Sequence, residues 1–343
     1  MTEFRKPKTA APYAHSKRTV SGMMRDVLLA LVPVTLALTW LFGSGVLLNV
    51  IVAAGSCVAF EALVLRLRGQ DVEPRIKDCS ALVTGLLLAL CLPPTVPFWI
   101  PVIGSLFAIV LAKHVYGGLG YNLFNPAMVG FAVLLVSFPA WLGYWPPPAL
   151  NGLDDGGLSF TETLRIFATG EMPVDAVSRA TPLDAIKSGL GNMLTMPELK
   201  AGELFDGFGP RGWVWVNLAA LCGGIWLLVR KVISWRIPLG VVAGLALPAL
   251  FAMTGDSAVN PSPWLQLMSG GTMLGVFFIA TDPVSSAATP KGQIIYGIGI
   301  GLLTWIIRTW GAYPDGFAFA VLLMNLCVPL IDRYTAVRIY GHR

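Results

Sequence analysis

The sequence predicts an all-α integral membrane protein of about ten transmembrane helices, and three observations carry that prediction. The first is composition. Of 343 residues, 55% are hydrophobic and 13% charged, with mean hydropathy +0.69, whereas soluble domains carry about 25% charged residues. A soluble chain of this length needs the missing polar surface to stay dissolved, and a bilayer removes the need. The second is spacing: apolar runs near the ~20 residues needed to cross a bilayer recur along the chain. The third is the placement of Lys and Arg, which cluster between those runs and mostly on one side.

The runs are read in order as spans at 27–43, 45–65, 79–94, 97–114, 126–145, 212–229, 237–253, 264–280, 292–309 and 316–332. The third is short and ends at Pro93-Pro94; the eighth ends at Asp282-Pro283. With the N-terminus inside, 18 of the 24 basic residues fall in cytoplasmic segments. The outer side keeps six, five of them in one long loop and the sixth Arg308. This split predicts a multi-pass protein of a bacterial inner membrane with both termini in the cytoplasm. It divides the chain into an N-terminal cytoplasmic segment (1–26), a first transmembrane repeat (27–145), a periplasmic loop (146–211), a second repeat (212–332) and a cytoplasmic tail (333–343).

Two halves are proposed because short patterns recur. Ser80-Ala-Leu-Val-Thr84-Gly85, an apolar run and Pro93 resemble Ser269-Gly-Gly-Thr272, an apolar run and Pro283. Lys113-His-Val-Tyr-Gly117 followed by FAVLLV resembles Arg308-Thr-Trp-Gly311 followed by FAVLLM. Five spans per half would invert the second repeat relative to the first, an arrangement that builds sites near the midplane from broken helices. Chance similarity of apolar runs is the alternative.

Composition also excludes. The basic N-terminus is too long and Pro-rich for a secretory n-region, and no small-residue cleavage site follows the first apolar run, so no cleaved signal is expected. Five cysteines stand singly without a C-x-x-C, which speaks against iron–sulfur, zinc and disulfide sites. Three histidines, none well placed inside a span, argue against bis-His haem. No Lys/Arg run interleaves with aromatics, so no nucleic-acid partner is expected.

Three segments stand out for chemistry. Ser178-Arg179-Ala180-Thr181-Pro182-Leu183-Asp184 lies in the long loop, which holds nine acidic and five basic residues. Proline biases Thr181 to extended backbone and leaves its hydroxyl projecting; the plain alternative is a Thr-Pro turn starting a short helix. Around it, TETLRIFATGE and TPLDAIKSGLGNML have the look of short amphipathic helices. Next, Tyr116-Gly-Gly-Leu-Gly-Tyr-Asn122-Leu-Phe-Asn125-Pro126 combines glycines, which let backbone approach a ligand, with amides that both donate and accept. Its alternative is a tight turn capped by Asn125. Third, Asp282 in Thr281-Asp282-Pro283-Val-Ser285-Ser286 is an acid at the edge of an apolar span, a functional candidate by default, or else a helix cap. For Arg308 and Asp315, in the opposing outer turn, the plain alternative is likewise a simple ion pair.

At these residues the chain resembles the NqrB/RnfD family, namely RnfD, a membrane component of the Rnf ion-translocating electron transport complex, with NqrB of the sodium-pumping NADH:quinone reductase more distant. GGLGYNLFNPAMVG, SRATPLD, SGGTMLG, ATDPVS and IDRYTAVRIYGHR carry the resemblance, over nearly the whole chain. It implies a fold similar to urea transporters and a phosphodiester between FMN and a threonine in an S/D-x-A/S-T signature. Ser178-Arg179-Ala180-Thr181 matches, and so does Ser286-Ala287-Ala288-Thr289. The family's flavin transferase works outside the cytoplasm, and the charge count puts Thr181 outside and Thr289 inside, so Thr181 is the implied attachment residue. The resemblance also implies a second, non-covalent flavin, riboflavin, in the helix bundle, with Asn122, Asn125 and Asp282 as candidate contacts. Its partners would be subunits of the Rnf A, B, C, E and G type, together with membrane lipid. The implied activity is that of one component of a redox-driven ion translocase. Electrons would pass between ferredoxin and NAD through covalent FMN, coupled to Na⁺ or H⁺ transport. The rival reading is a small-solute channel whose inverted repeats enclose a pore; the Thr181 loop, which a pore does not need, is the feature against it.

Overall fold

Thr19 opens the first helix by accepting the Gly22 N–H at 3.1 Å, and from there the computed structural model describes residues 19–149, 159–171 and 180–336. Helix α1 (Val20–Phe42) and α2 (Gly45–Leu67) are continuous, mostly apolar helices. With α12 (Arg236–Gly255) and α16 (Phe317–Thr335), they are the four helices among the described residues that are long and apolar enough to cross a membrane. Their outward faces carry Trp40, Ile51, Phe251 and Leu247, all more than 60% exposed. Leaving that much apolar surface in water costs about 25 cal/mol per Å²; lipid removes the cost.

The remaining spans are shorter or broken, each for a readable reason. After the single turn α3 (Val72–Ile76), α4 (Ser80–Leu90) stops short of Pro93-Pro94, where proline disfavours helical backbone at the preceding residue. Helix α5 (Trp99–Leu106) runs on as a π-helix over Phe107–His114. The expected span 126–145 is not one helix. It is α6 (Pro126–Ser137) and α7 (Pro139–Gly143), parted at Phe138 by Pro139. Helix α11 (Trp213–Val229) matches its expected span closely. The expected span 264–280 is interrupted too: α13 (Pro263–Met268) is followed by Ser269-Gly270-Gly271, the short α14 (Thr272–Leu274) and a π-helix over Gly275–Ile279. Gly270 has φ +55°, a left-handed turn that glycine adopts without strain. Helix α15 (Pro290–Trp310) completes the bundle before α16.

The long loop carries α8 (Phe160–Thr169), α9 (Pro182–Gly191) and α10 (Met196–Lys200), so both stretches read as amphipathic helices are helical. A two-residue hairpin, β1 (Phe205–Asp206) with β2 (Gly209–Pro210), adds a strand element that the all-α reading did not contain. Ile186, Met196, Phe205 and Leu265 form a small core beneath these pieces.

Glycine lets the long helices approach. On α12 and α15, a Cβ at Gly244 would lie 2.3 Å from the Ile298 carbonyl oxygen, and one at Gly301 2.2 Å from that of Val241. Small residues at such crossings supply the van der Waals contact that drives helix association where lipid removes the hydrophobic drive. Where α1 meets α11, a Cβ at Gly223 would lie 2.1 Å from the Ala30 oxygen.

Candidate functional site

Thr181 is the N-cap of α9. Its extended backbone (φ −66°, ψ 158°) is what a residue before proline prefers, and Pro182 takes the first helical position, where no N–H is needed. A capping box closes the turn. Asp184 N–H donates to Thr181 Oγ1 at 3.2 Å, and Thr181 N–H donates to Asp184 Oδ2 at 3.2 Å. The Thr181 hydroxyl itself donates to Asp184 Oδ2. Burial holds the Asp184 carboxyl above the usual carboxylate range despite these bonds, and the nearby Asp315 adds to the rise. Burial in turn lowers the Lys187 ammonium, whose Nζ donates to the carbonyls of Ile307, Arg308 and Tyr313 at and beyond the end of α15. Ser178 and Arg179 lie outside the described residues.

Two cavities meet at Thr181. The outer one, about 310 Å³, is lined by Pro146–Pro148, Ala180, Glu203, Arg211 and Trp213. The inner one, about 280 Å³, has Thr181, Leu183 and Asp184 at one side and reaches into the bundle between α4 (Leu90, Cys91), α6 (Met128, Phe131), the α14 break (Gly270, Leu274) and α16 (Phe317). Its wall is mostly apolar, with Asp184, Asp315, Tyr313 and the Cys91 thiol as the ionisable groups. Small-molecule pockets run from about 300 Å³ upward and combine an apolar lining with a few placed polar groups. Either chamber is near that lower bound, and the two share Thr181.

The break at Gly270 is held by Asn217 on α11, which is buried. Its Nδ2 donates to the carbonyls of Met268 (3.0 Å) and Gly270 (2.8 Å), and its Oδ1 accepts the Met273 N–H at 2.8 Å. Arg308 closes the same end. It donates to Gln266 O (2.6 Å), Thr272 Oγ1 (2.8 Å) and Asp315 Oδ1 (3.0 Å), so the Arg308–Asp315 pair read from the sequence is present.

The other three candidates gather elsewhere. Asn122, Asn125 and Asp282 line one cavity of about 110 Å³, with Lys113 and the start of α1. Asp282 Oδ2 accepts from Ser285 Oγ at 2.6 Å and its N–H at 3.3 Å, which is the turn-capping geometry. Asn125 caps α6 through Met128 N–H (3.2 Å) and donates to the Ile279 carbonyl (3.2 Å), while its own N–H reaches Asn325 Oδ1 at 3.1 Å. Asn122 Nδ2 donates to Phe124 O at 3.1 Å. Asn125 is therefore the cap of the plain alternative, and it lines the cavity as well.

Thr289, the second residue with a matching signature, is remote from these outer cavities. It caps α15 through Gly292 N–H (3.0 Å) and pairs with Thr335. Since Tyr313 and Asp315 at the cavity lie past the far end of α15, its 21 residues at 1.5 Å each put about 30 Å between the two threonines' ends of the bundle.

Sequence reasoning missed two features. Lys113 Nζ donates to Glu61 Oε1 (2.7 Å) and Ser80 Oγ (2.7 Å), with both charged side chains at most 3% exposed and His114 Nε2 3.7 Å from the same carboxylate. The available signal was Glu61, an acid inside an apolar span. The second is the bond from the Thr181 hydroxyl to Asp184, whose spacing three after Thr181 is the capping-box signature.

Comparison with known proteins bears on the whole chain. Residues 8–341 match the family described as NQR2, RnfD, RnfE. The chain is 47% identical to the D component of the ion-translocating oxidoreductase complex of Aeromonas hydrophila, over 97% of this chain and 98% of the relative. It is 48% identical to the protein of that name from Aliivibrio salmonicida, over 98% of each. For that of Escherichia fergusonii the identity is 45%, over 97% and 98%. A match of this extent at this identity makes the chain a member of the NQR2, RnfD, RnfE family.

Proposed function

We propose that this protein is the flavin-carrying membrane component of an Rnf-type ion-translocating oxidoreductase, with FMN joined to Thr181 through a phosphodiester. The observation that carries the reading is the position of Thr181, at the junction of two chambers of about 310 and 280 Å³ and at the N-terminus of α9. These residues fit the group. A phosphodiester anion on Thr181 Oγ1 would lie against the first turn of α9, and a helix N-terminus favours negative charge, with Arg211 on the outer chamber's wall. The apolar inner chamber suits a flat aromatic ring, and the covalent tether keeps an outward-facing nucleotide from being lost. Bound FMN supplies the one- and two-electron redox chemistry, and the protein contributes position, dielectric and hydrogen bonds. Asp184, Tyr313 and Asp315 set the polarity of the chamber; Leu90, Met128, Phe131 and Leu274 exclude water from it.

In the full reading, electrons pass between ferredoxin and NAD, coupled to Na⁺ or H⁺ transport, in a bacterial inner membrane alongside subunits of the Rnf A, B, C, E and G type. The names of the relatives support the complex and the ion translocation. Ten spans in two inverted five-helix repeats, urea-transporter-like, with 146–211 periplasmic and both termini cytoplasmic, complete it. Supporting the repeat, Lys113 bonds the Ser80 hydroxyl at the start of α4 and Arg308 the Thr272 hydroxyl at the start of α14, so the basic residue of each half reaches the Ser/Thr pattern of its own half. Riboflavin, the second flavin, belongs in this reading with Asn122, Asn125 and Asp282; at about 110 Å³ that cavity must widen to take a tricyclic ring, and no step is derived through it.

A denaturing gel under ultraviolet light tests the central claim. The wild-type band fluoresces, Thr181→Ala does not, and Thr289→Ala does. A fluorescent band in Thr181→Ala refutes the assignment.

A further inference from the structure

The Thr181 hydroxyl is not free to act as a nucleophile by itself, because an alcohol at neutral pH keeps its proton. In this fold that proton already has a destination. Thr181 Oγ1 donates to Asp184 Oδ2, and the carboxylate is held in place by the Thr181 N–H at 3.2 Å. Both residues border the inner chamber, and Thr181 also borders the outer one, so the hydroxyl stands where a phosphate group can approach from outside while the carboxylate stays behind it. We propose that Asp184 is the general base, supplied by the acceptor protein itself, for attachment of the flavin to Thr181.

The inference rests on the proposed FMN–Thr181 linkage, and the chemistry fixes the donor class. A hydroxyl does not displace oxide from a phosphate monoester, so the flavin phosphate must arrive as a phosphoanhydride, that is, a flavin-nucleotide pyrophosphate. Thr181 Oγ1 attacks the flavin-side phosphorus; the Oγ–P bond forms and the P–O bond of the anhydride breaks. The nucleoside monophosphate leaves with the bridging oxygen, and the Oγ proton passes to Asp184 Oδ2. Nothing is oxidised or reduced. Burial and Asp315 raise the basicity of Asp184 over an ordinary carboxylate, which favours a base over a mere acceptor. The charged groups that face it are Asp315, which raises it, and Lys187 on its own helix, which lowers it. Arg308 pairs with Asp315, and Glu203 and Arg211 stand across the outer chamber.

A helix-capping role and a base role separate in one substitution. Asp184→Asn keeps an oxygen to accept the Thr181 N–H, so the cap survives, but it cannot take a proton. The full-length protein in detergent is incubated with flavin transferase and FAD, and in-gel flavin fluorescence is followed over time. General-base catalysis contributes about 10²–10⁴-fold. Asp184→Asn is therefore expected to slow labelling by ~100-fold or more, with Asp184→Glu recovering part of the rate. Wild-type labelling should rise with pH as Asp184 ionises, and the Asn variant should lack that rise. Labelling of Asp184→Asn at the wild-type rate overturns the proposal while leaving the linkage to Thr181 intact; an unlabelled wild type instead overturns the linkage. If Asp184→Asn fails to fold, judged by its elution in detergent, the wild-type pH profile and the Glu variant decide, and a flat profile overturns the proposal.

Discussion

Asn217→Leu removes one amide and is expected to open the floor of the Thr181 chamber. The side chain is 1% exposed and shares leucine's branched skeleton, so the substitution removes the hydrogen bonds while keeping the shape, with the bulkier methyls adding to any loss. Three groups lose an Asn217 partner: the Met268 and Gly270 carbonyls and the Met273 N–H. The fourth bond, to Trp213 O at 2.9 Å, lies within α11, whose carbonyl also serves the helix. A buried polar group stripped of its partner costs about 1–3 kcal/mol, giving an upper range of roughly 3–9 for three. Side-chain bonds between membrane helices average only about 0.6 kcal/mol in double-mutant cycles, giving a lower bound near 2. The lower figure governs the expectation, because backbone freed at a glycine-rich break can find other partners. Asn217→Asp should be worse than Asn217→Leu, since it keeps the Met273 bond but aims negative oxygen at two carbonyls. Thermal unfolding of the purified protein in detergent, read beside in-gel flavin fluorescence, checks both. A melting midpoint equal to wild type in Asn217→Leu would refute the view that this amide holds the break together.

Gly244→Leu should prevent stable folding of the helix bundle, because its Cβ alone would sit 2.3 Å from the Ile298 oxygen; wild-type yield and melting would refute the close-crossing account. For the buried pair, Lys113→Met or Glu61→Gln alone should cost about 3–5 kcal/mol by stranding a charge. The double substitution should recover most of it, as read in the same melting assay, and additive losses would count against direct coupling. Asp282→Asn keeps the turn at Ser285, since Asn caps about as well as Asp. Normal assembly and intact Thr181 fluorescence are expected, with impaired electron transfer or ion uptake in membranes. Unchanged values for both would make Asp282 a cap and nothing more.

Local chemistry decided much of this protein in advance. Apolar runs near 20 residues cannot be left in water, so the helices stand close to where hydropathy put them; boundaries such as Trp213–Val229 agree within a residue. Helices α8 and α9 of the long loop were legible as amphipathic stretches, while the capping signals of Ser159, Thr181 and Thr195, with acids three positions on, went unused and α10 was not anticipated. Where span and helix disagree, the cause is a local residue given too little weight. Pro139 parts α6 from α7, and a glycine pair parts α13 from α14.

What only the tertiary structure decided is which residues meet. Asn125 reaches Ile279 across 154 residues of sequence, and Lys113 reaches Glu61 across 52. No periodicity encodes such contacts, because they depend on which helix faces pack. The sequence marked Thr181 and Thr289 equally by signature. The charge count preferred Thr181, and packing gives the two different surroundings: α9 folds back over the mouth of a chamber built from α4, α6, the α14 break and α16, while Thr289 caps α15 at its opposite end. A threonine's reactivity depends on what its hydroxyl touches and what space lies before it; at Thr181 the first is a local capping bond to Asp184, and the second is a product of long-range packing.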